Sequence, residues 1–518
     1  VALAVASVDV SMIAPAHGQS NLNFPFQPSL TDPRNAQTFG PADAAVPWKI
    51  VPPSGAGKTG FTSTGAAATN PKKKVTKKPG DPKPVPPPPP PLPAAPQIAS
   101  GHGSPPPIKM RATYADAYKP VDAPVRRLVP PPTDPYEPLG LRLSTFVVKP
   151  TIDIVRGYDT NPAHFSGGTA SGFTLIEPSL KVRSDWSRHE AGLDLRGGYA
   201  EFDKQSSLNR PLFEAKGYSR IDLSRDTIIN TEGRYFLSTD YPGSPNLPIG
   251  FAKLPIFENF GGAASATQRF NRLELMAKAS IERSRYEDTP LVNGTSSSNQ
   301  DRDFNQYAGA VRASYETLPG VKPFVEVGGD VRKHDLQFDR DGLQRDSKAL
   351  TPRVGSTFDL ASTLKGEISA GYLQRTFDDP ALQNLKGIVA DASVIWKATG
   401  LTTATLTATS RADETVLAGV SGVLRRDIGV QIDHALRRWL IWTVRAGYGF
   451  DEYVGDVATV NGLIERKDTR MSLGSALVYK FNRDVWLKGE YIYDQRDSNV
   501  VGNSYHANVF LVGLKLQR

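Results

Sequence analysis

The charged residues of this chain that could take part in chemistry recur at alternate positions. Lys149 and Asp153, Asp194 and Arg196, Glu326, Asp330 and Arg332, and Lys488 and Glu490 are each two or four residues apart. Lys278, Arg312, Glu367 and Arg445 alternate with apolar neighbours in the same way. A spacing of two puts side chains on one face of a strand. Mixed charge on one face can hydrate a water-filled passage and set a field across it, or it can close on itself as a ladder of ion pairs. Catalysis would need more, namely a base within hydrogen-bond reach of a nucleophile. Seven histidines occur, at 17, 102, 164, 189, 334, 434 and 506, and none has a metal-ligand spacing. His334 and His506 fall near loop ends, where a barrel enzyme would carry catalytic groups, but no partner is indicated. The acidic pairs Asp301/Asp303, Asp339/Asp341 and Asp451/Glu452 could hold a divalent cation; solvated loop charge is the simpler reading. No catalytic residue, metal ligand or cofactor is therefore assigned.

One decoy is removed on spacing. Ser54-Gly55-Ala56-Gly57-Lys58-Thr59 resembles the end of a phosphate-binding loop, but Pro52 stands where that loop needs its first glycine.

The elements that carry the alternating charges are strands. In residues 439–451, Leu440, Trp442, Val444, Ala446, Tyr448 and Phe450 share one parity, and Ile441, Thr443, Arg445, Gly447, Gly449 and Asp451 the other. Phe146, Val148, Pro150, Ile152 and Ile154 oppose Lys149, Thr151 and Asp153 in the same manner. The pattern recurs about eighteen times from residue 140 onward. Aromatics gather on the apolar parity near strand ends, as a membrane-interface girdle requires. The other parity is rich in Arg, Asp, Glu and Gly, which the core of a soluble sandwich would not tolerate unpaired. The expected fold is all-β, a transmembrane antiparallel barrel with lipid outside and water inside.

Connections alternate in length. Short turns fall near 187–188, 225–226, 271–272, 319–320, 363–364, 399–400, 437–438 and 482–483. Longer links are expected at 157–171, 203–211, 241–261, 287–302, 336–346, 377–383, 411–420, 452–465 and 495–503. Eight turns and nine loops give eighteen strands, with both termini on the short-turn, periplasmic side.

Bulk properties agree. The chain has 518 residues, 39 % hydrophobic content and no cysteine, which excludes disulfides, thiol catalysis and cysteine metal sites. No apolar run is long enough for a spanning helix. Residues 1–139 carry 14 Lys and Arg against 8 Asp and Glu, and the rest carries 47 against 45. The basic excess therefore belongs to the N-terminal part, and no nucleic-acid motif accompanies it. Residues 1–16 are small and apolar and end in Ala14-Pro15-Ala16, as the remnant of a signal peptide would. Residues 17–138 hold 29 of the 43 prolines and no periodicity, so a disordered Pro-rich periplasmic segment is expected. Its lysines from Lys72 to Lys78 could touch peptidoglycan, against the simpler reading of a solvated linker.

The stretch Pro138-Leu139-Gly140-Leu141-Arg142-Leu143-Ser144-Thr145-Phe146-Val147-Val148-Lys149-Pro150, running into Gly157-Tyr158-Asp159-Thr160-Asn161-Pro162, resembles the outer-membrane β-barrel porin family of Gram-negative bacteria, often found near exopolysaccharide genes. The resemblance spans roughly 139 to 518. It implies an outer-membrane location, lipid and lipopolysaccharide as neighbours, and insertion by the barrel assembly machinery. The expected function is a passive channel for small hydrophilic solutes. An export barrel for a secreted polysaccharide and a tether between outer membrane and cell wall are the alternatives. The apolar loop 241–261 should fold inward as a constriction, with Phe251, Lys253, Phe257, Glu258 and Phe260 as its narrowing residues, because its phenylalanines are costly to leave in water.

Overall fold

A computed structural model describes residues 136–360, 363–459 and 462–518. The proposed signal remnant, most of the Pro-rich segment and Lys72 to Lys78 lie outside the described residues.

Eighteen long strands follow one another with no long helix between them. They are β1 (Phe146–Asp159), β2 (Ser171–Ser184), β3 (Glu190–Phe202), β4 (Arg210–Asp222), β5 (Thr227–Thr239) and β6 (Ile256–Phe270). Next come β7 (Leu273–Tyr286), β8 (Phe304–Tyr315), β9 (Val321–His334), β10 (Ser347–Leu360), β11 (Leu364–Phe377) and β12 (Leu385–Lys397). The last are β13 (Thr402–Asp413), β14 (Val420–Arg437), β15 (Leu440–Thr459), β16 (Gly462–Lys480), β17 (Val485–Ser498) and β18 (Tyr505–Gln517). Each pairs antiparallel with the next, and β1 pairs with β18 from Thr151↔Gln517 to Asp159↔Val509. The sheet is thus a closed barrel without an edge, which satisfies the backbone where no water can.

The parity expected from sequence is the parity observed. Ile154, Tyr158, Trp442 and Tyr448 are exposed on the outside, while Asp153, Thr443 and Asp451 are buried inside. Exposed aromatics form two outer belts. Tyr158, Tyr199, Phe213, Tyr307 and Phe510 sit toward the long loops, and Trp186, Phe270, Tyr315, Trp396 and Phe481 toward the short turns. Val327, exposed at the middle of β9, belongs to the apolar band between them. Val327→Arg should cost about 2–4 kcal/mol of barrel stability, as a charge does near the bilayer midplane. A lowered temperature of gel-mobility unfolding would register it; an unchanged one would place Val327 outside the lipid band.

Turn chemistry fits the short side. Asn271 takes φ 57 in the two-residue turn between β6 and β7, a conformation that asparagine tolerates better than most residues.

Two expected loops are shorter than their sequence suggested. The link at 452–465 is largely strand, since β15 runs to Thr459 and β16 starts at Gly462. The link at 241–261 ends at Pro255, and Ile256 begins β6, paired with Thr239. Proline cannot donate to a ladder, so pairing starts directly after the last one.

A short segment, Leu141–Leu143, folds back on the start of β1. Just before it, Glu137 reaches Lys149 at 2.8 Å, and Tyr136 packs against the cluster of Ile441, Val478 and Trp486. The chain thus comes to β1 through the short-turn mouth of the barrel.

Candidate channel lumen

All thirteen charged positions singled out from sequence lie on the inward parity of their strands. Most are members of ion pairs. Arg312 joins Glu326 at 2.7 Å and Glu367 at 2.8 Å. Arg196 meets Glu177 at 2.5 Å, Asp194 meets Arg183 at 2.8 Å, and Glu490 holds both Arg445 and Lys488. Asp330 takes Arg375 at 2.6 Å, and Arg332 takes Glu414 at 2.7 Å. Asp153 faces Lys515 and Glu177 across the ladder. Lys278 is inward and buried. Single charges packed this closely into the wall would be costly, and pairing with hydrogen bonds offsets that cost. Arg353, Arg375, Arg425, Arg470, Asp391 and Asp427 belong to the same lining. Their parity carried the signal; they had not been singled out.

Toward the long-loop end the lumen narrows to a chamber of about 370 Å³. Arg234, Arg302, Arg332, Arg353, Arg375, Arg411 and Arg425 line it beside Asp240, Glu282, Asp413 and Glu414. Three further carboxylates, Asp330, Asp391 and Asp451, are bound to these arginines. Positive and negative groups therefore balance. Phe236, Phe257, Tyr286, Phe304 and Tyr453 supply the apolar part of the wall, and Arg302 lies over the Tyr286 ring at 3.8 Å.

Two loops close this chamber. Residues 240–255 dip inward: the Asn246 Oδ1 accepts hydrogen bonds from Thr415 Oγ1 and Val416 N, both at 3.1 Å. The Gly243 carbonyl accepts one from Arg496 at 2.8 Å. Gly243 has φ +74, and a Cβ there would come within 2.4 Å of the His164 carbonyl oxygen, so only glycine permits the approach. Residues 414–419 lean in from the other side, and Glu414 docks on Arg332 of β9. Burial would raise the Glu414 carboxyl, but its contacts with His334 and Arg332 hold it well below the usual carboxylate range. Its share of stability is therefore fully present above the ordinary carboxylate pKa and is lost only as pH falls far below it. Sequence reasoning missed Glu414, which lay in an expected loop.

The five residues expected in the constriction separate. Phe251 packs on a cluster that includes Val155, Phe173 and Phe202, and Lys253 is exposed. Phe257, Glu258 and Phe260 stand in β6 instead of a loop. Phe257 lines the chamber, Glu258 accepts from the Tyr235 hydroxyl at 3.1 Å, and Phe260 is exposed on the outer face.

Of the two loop-end histidines, His506 is exposed on β18, and His334 is held by carboxylates. His334 lies between Asp346 and Glu414 at 3.4 and 3.5 Å. His164 stacks on Tyr505 at 4.6 Å, and burial, with Arg210 and Arg496 nearby, pushes its pKa down to about 3. Asp301 and Asp339 are engaged by Arg340 and Arg345.

The sequence pattern of the family described as Putative beta-barrel porin 2 matches residues 134–518. The chain belongs to this family. As a member of this porin family it is an outer-membrane barrel, and the family is one of channels. No curated protein matches the chain. Among solved structures, it is similar to OccK2 (OpdF) of Pseudomonas aeruginosa at 13 % identity and TM-score 0.37, covering 72 % of this chain and 98 % of that one. OccAB4 of Acinetobacter baumannii matches at 12 % identity and TM-score 0.37, covering 74 % and 100 %. The alcaligin outer-membrane receptor FauA of Bordetella pertussis matches at 12 % and 0.31, covering 73 % and 76 %.

Proposed function

We propose that this porin is a passive channel for small hydrophilic solutes, with its long loops outside the cell and both termini in the periplasm. The observation that carries the reading is the charge-balanced inward face, continuous from strand to strand and ending in the chamber. A barrel of eighteen strands is wide enough for an aqueous passage. Paired charges keep water in it without strong preference for one sign. In this reading the thirteen inward charges line the pore, and loop 240–255 with Phe251 and Phe257 narrows it. Inward aromatics fall in separate groups, those of the chamber and, apart from it, Phe173, Phe202, Tyr218 and Phe324, while Trp186 and Trp396 are exposed and Trp486 is buried beside Lys480 and Lys515. A continuous aromatic track, which a polysaccharide path would call for, has no support here.

Planar-bilayer recording of the purified barrel, with and without residues 1–139, tests the proposal. Discrete steps with weak ion selectivity are expected, together with swelling of liposomes in monosaccharide or amino-acid solutions. Neither conductance nor swelling in either form would overturn it.

A further inference from the structure

The wall of the barrel is not uniformly zipped. β11 and β12 pair from Leu364↔Trp396 to Arg375↔Leu385. β13 and β14 pair from Thr402↔His434 to Asp413↔Val423. Between them, β12 and β13 pair only from Lys397↔Thr403 to Ala392↔Ala408. Above that rung, residues 385–391 have no ladder partner in β13. Side chains stand in for the missing rungs. The Ser410 hydroxyl accepts from Ala390 N at 2.9 Å and donates to Ala390 O at 3.1 Å. Asp391 accepts from Ser410 N at 3.3 Å, and Arg426 donates to Ile388 O at 3.2 Å.

The two strands part because the β13–β14 hairpin leans into the lumen. Leu424 lies on the outward parity of β14, with Ile428, Val430 and Ile432, which are exposed; Leu424 itself is 0 % exposed. It is covered by Leu385 and Val389, from the inward parity of β12. An outward face can meet an inward face only if one strand passes behind the other. Gly387 marks the crossing, since a Cβ there would come within 2.4 Å of Leu424 Cδ2. The tip beyond the hairpin is held by Glu414 on Arg332 and His334, by Thr415 and Val416 on Asn246, and by the Val420 carbonyl on Arg345.

From this geometry we infer that the outer half of the β13–β14 hairpin is the moving gate of the channel, hinged at the Ala392↔Ala408 rung and latched at Glu414. The inference rests on the channel reading. The hairpin keeps its own ladder, and β14 stays paired with β15 from Val420↔Gly455 onward, so the hairpin swings as a flap whose free edge is β13 and whose fixed edge is the β14–β15 seam. What it gives up on opening is a short apolar contact and a few side-chain hydrogen bonds, far less than a strand in a fully paired wall would lose. The latch is a charge-assisted bond, the kind whose loss shifts an equilibrium most. Returning toward β12 would complete the unfilled ladder, which gives the open state a structure of its own.

The chain has no cysteine, so paired cysteines report on this motion without background. In the full chain, Asn246→Cys with Thr415→Cys ties the hairpin tip to loop 240–255 when oxidised. The oxidised double variant should stay at the low-conductance level, and reduction should restore wild-type steps. Glu414→Gln should raise the open probability about tenfold, as loss of a charge-assisted bond implies. Heat-modifiable gel mobility verifies that each variant is folded; should the double variant misfold, Glu414→Gln decides alone. Wild-type open probability in Glu414→Gln, with oxidised and reduced double variant alike, overturns the gate and leaves the channel standing. Silence from every folded variant overturns the channel reading and the gate together.

Discussion

Replacing residues 243–253 by a short Gly-Ser turn raises single-channel conductance severalfold and leaves the barrel intact. The loop owes nothing to the ladder, because β5 ends at Thr239 and β6 begins at Ile256. Its inward part is fixed by a handful of polar contacts, chiefly Asn246 with Thr415 and Val416, and Gly243 with Arg496. Removing it widens the chamber at the level where two loops meet. Phe251 and the cluster it covers lose some burial, at ~25 cal/mol per Å² of apolar area, a penalty the eighteen-strand ladder can absorb. Conductance equal to wild type would mean that another level of the lumen limits flow.

The second large effect is on stability. Asp330→Ala should cost about 3–5 kcal/mol, the usual consequence of removing one partner of a buried ion pair. Arg375 is 2 % exposed and places both oxygens of Asp330 within 2.7 Å of its Nη2. With Asp330 gone, the guanidinium keeps Ser347 at 2.8 Å and loses its counter-charge in a site that water scarcely reaches. Asp330→Ala combined with Arg375→Leu should recover much of the loss, because the uncompensated charge is then absent as well. The midpoint of thermal unfolding on gels measures both variants. A double variant as unstable as the single one would show that Arg375 matters through packing and not through charge.

Strand number, strand facing and the inward charges were legible in the sequence because the bilayer imposes them. A strand with lipid on one side must alternate, so Trp442, Tyr448 and Asp451 declare their sides without any knowledge of their neighbours. The same reasoning explains where legibility ended. Beyond the lipid both faces of a strand are wet, no alternation is enforced, and 452–465 read as loop although most of it is strand. The apolar run at 241–261 looked like one unit because its prolines outweighed the strand residues that follow Pro255. Glu414 was invisible for another reason. Its partner Arg332 lies on β9, four strands away, and a contact across a lumen leaves no local periodicity. The parting of β12 from β13 was equally hidden, since each strand by itself has an ordinary pattern.

Closure of the barrel by β1 and β18 has a consequence for biogenesis. The outer edge of β1 is left unsatisfied until the last strand of the barrel, Tyr505–Gln517, has arrived beside it. Until that pairing forms, the sheet has two open edges, each able to pair with the wrong strand or another molecule. Seam formation joins the most distant parts of the sequence and so carries the greatest loop-closure entropy of any pairing in the protein. Truncations that remove β18 should therefore leave an open, aggregation-prone sheet instead of a slightly smaller pore, so that arrival of its thirteen residues commits the sheet to a closed barrel.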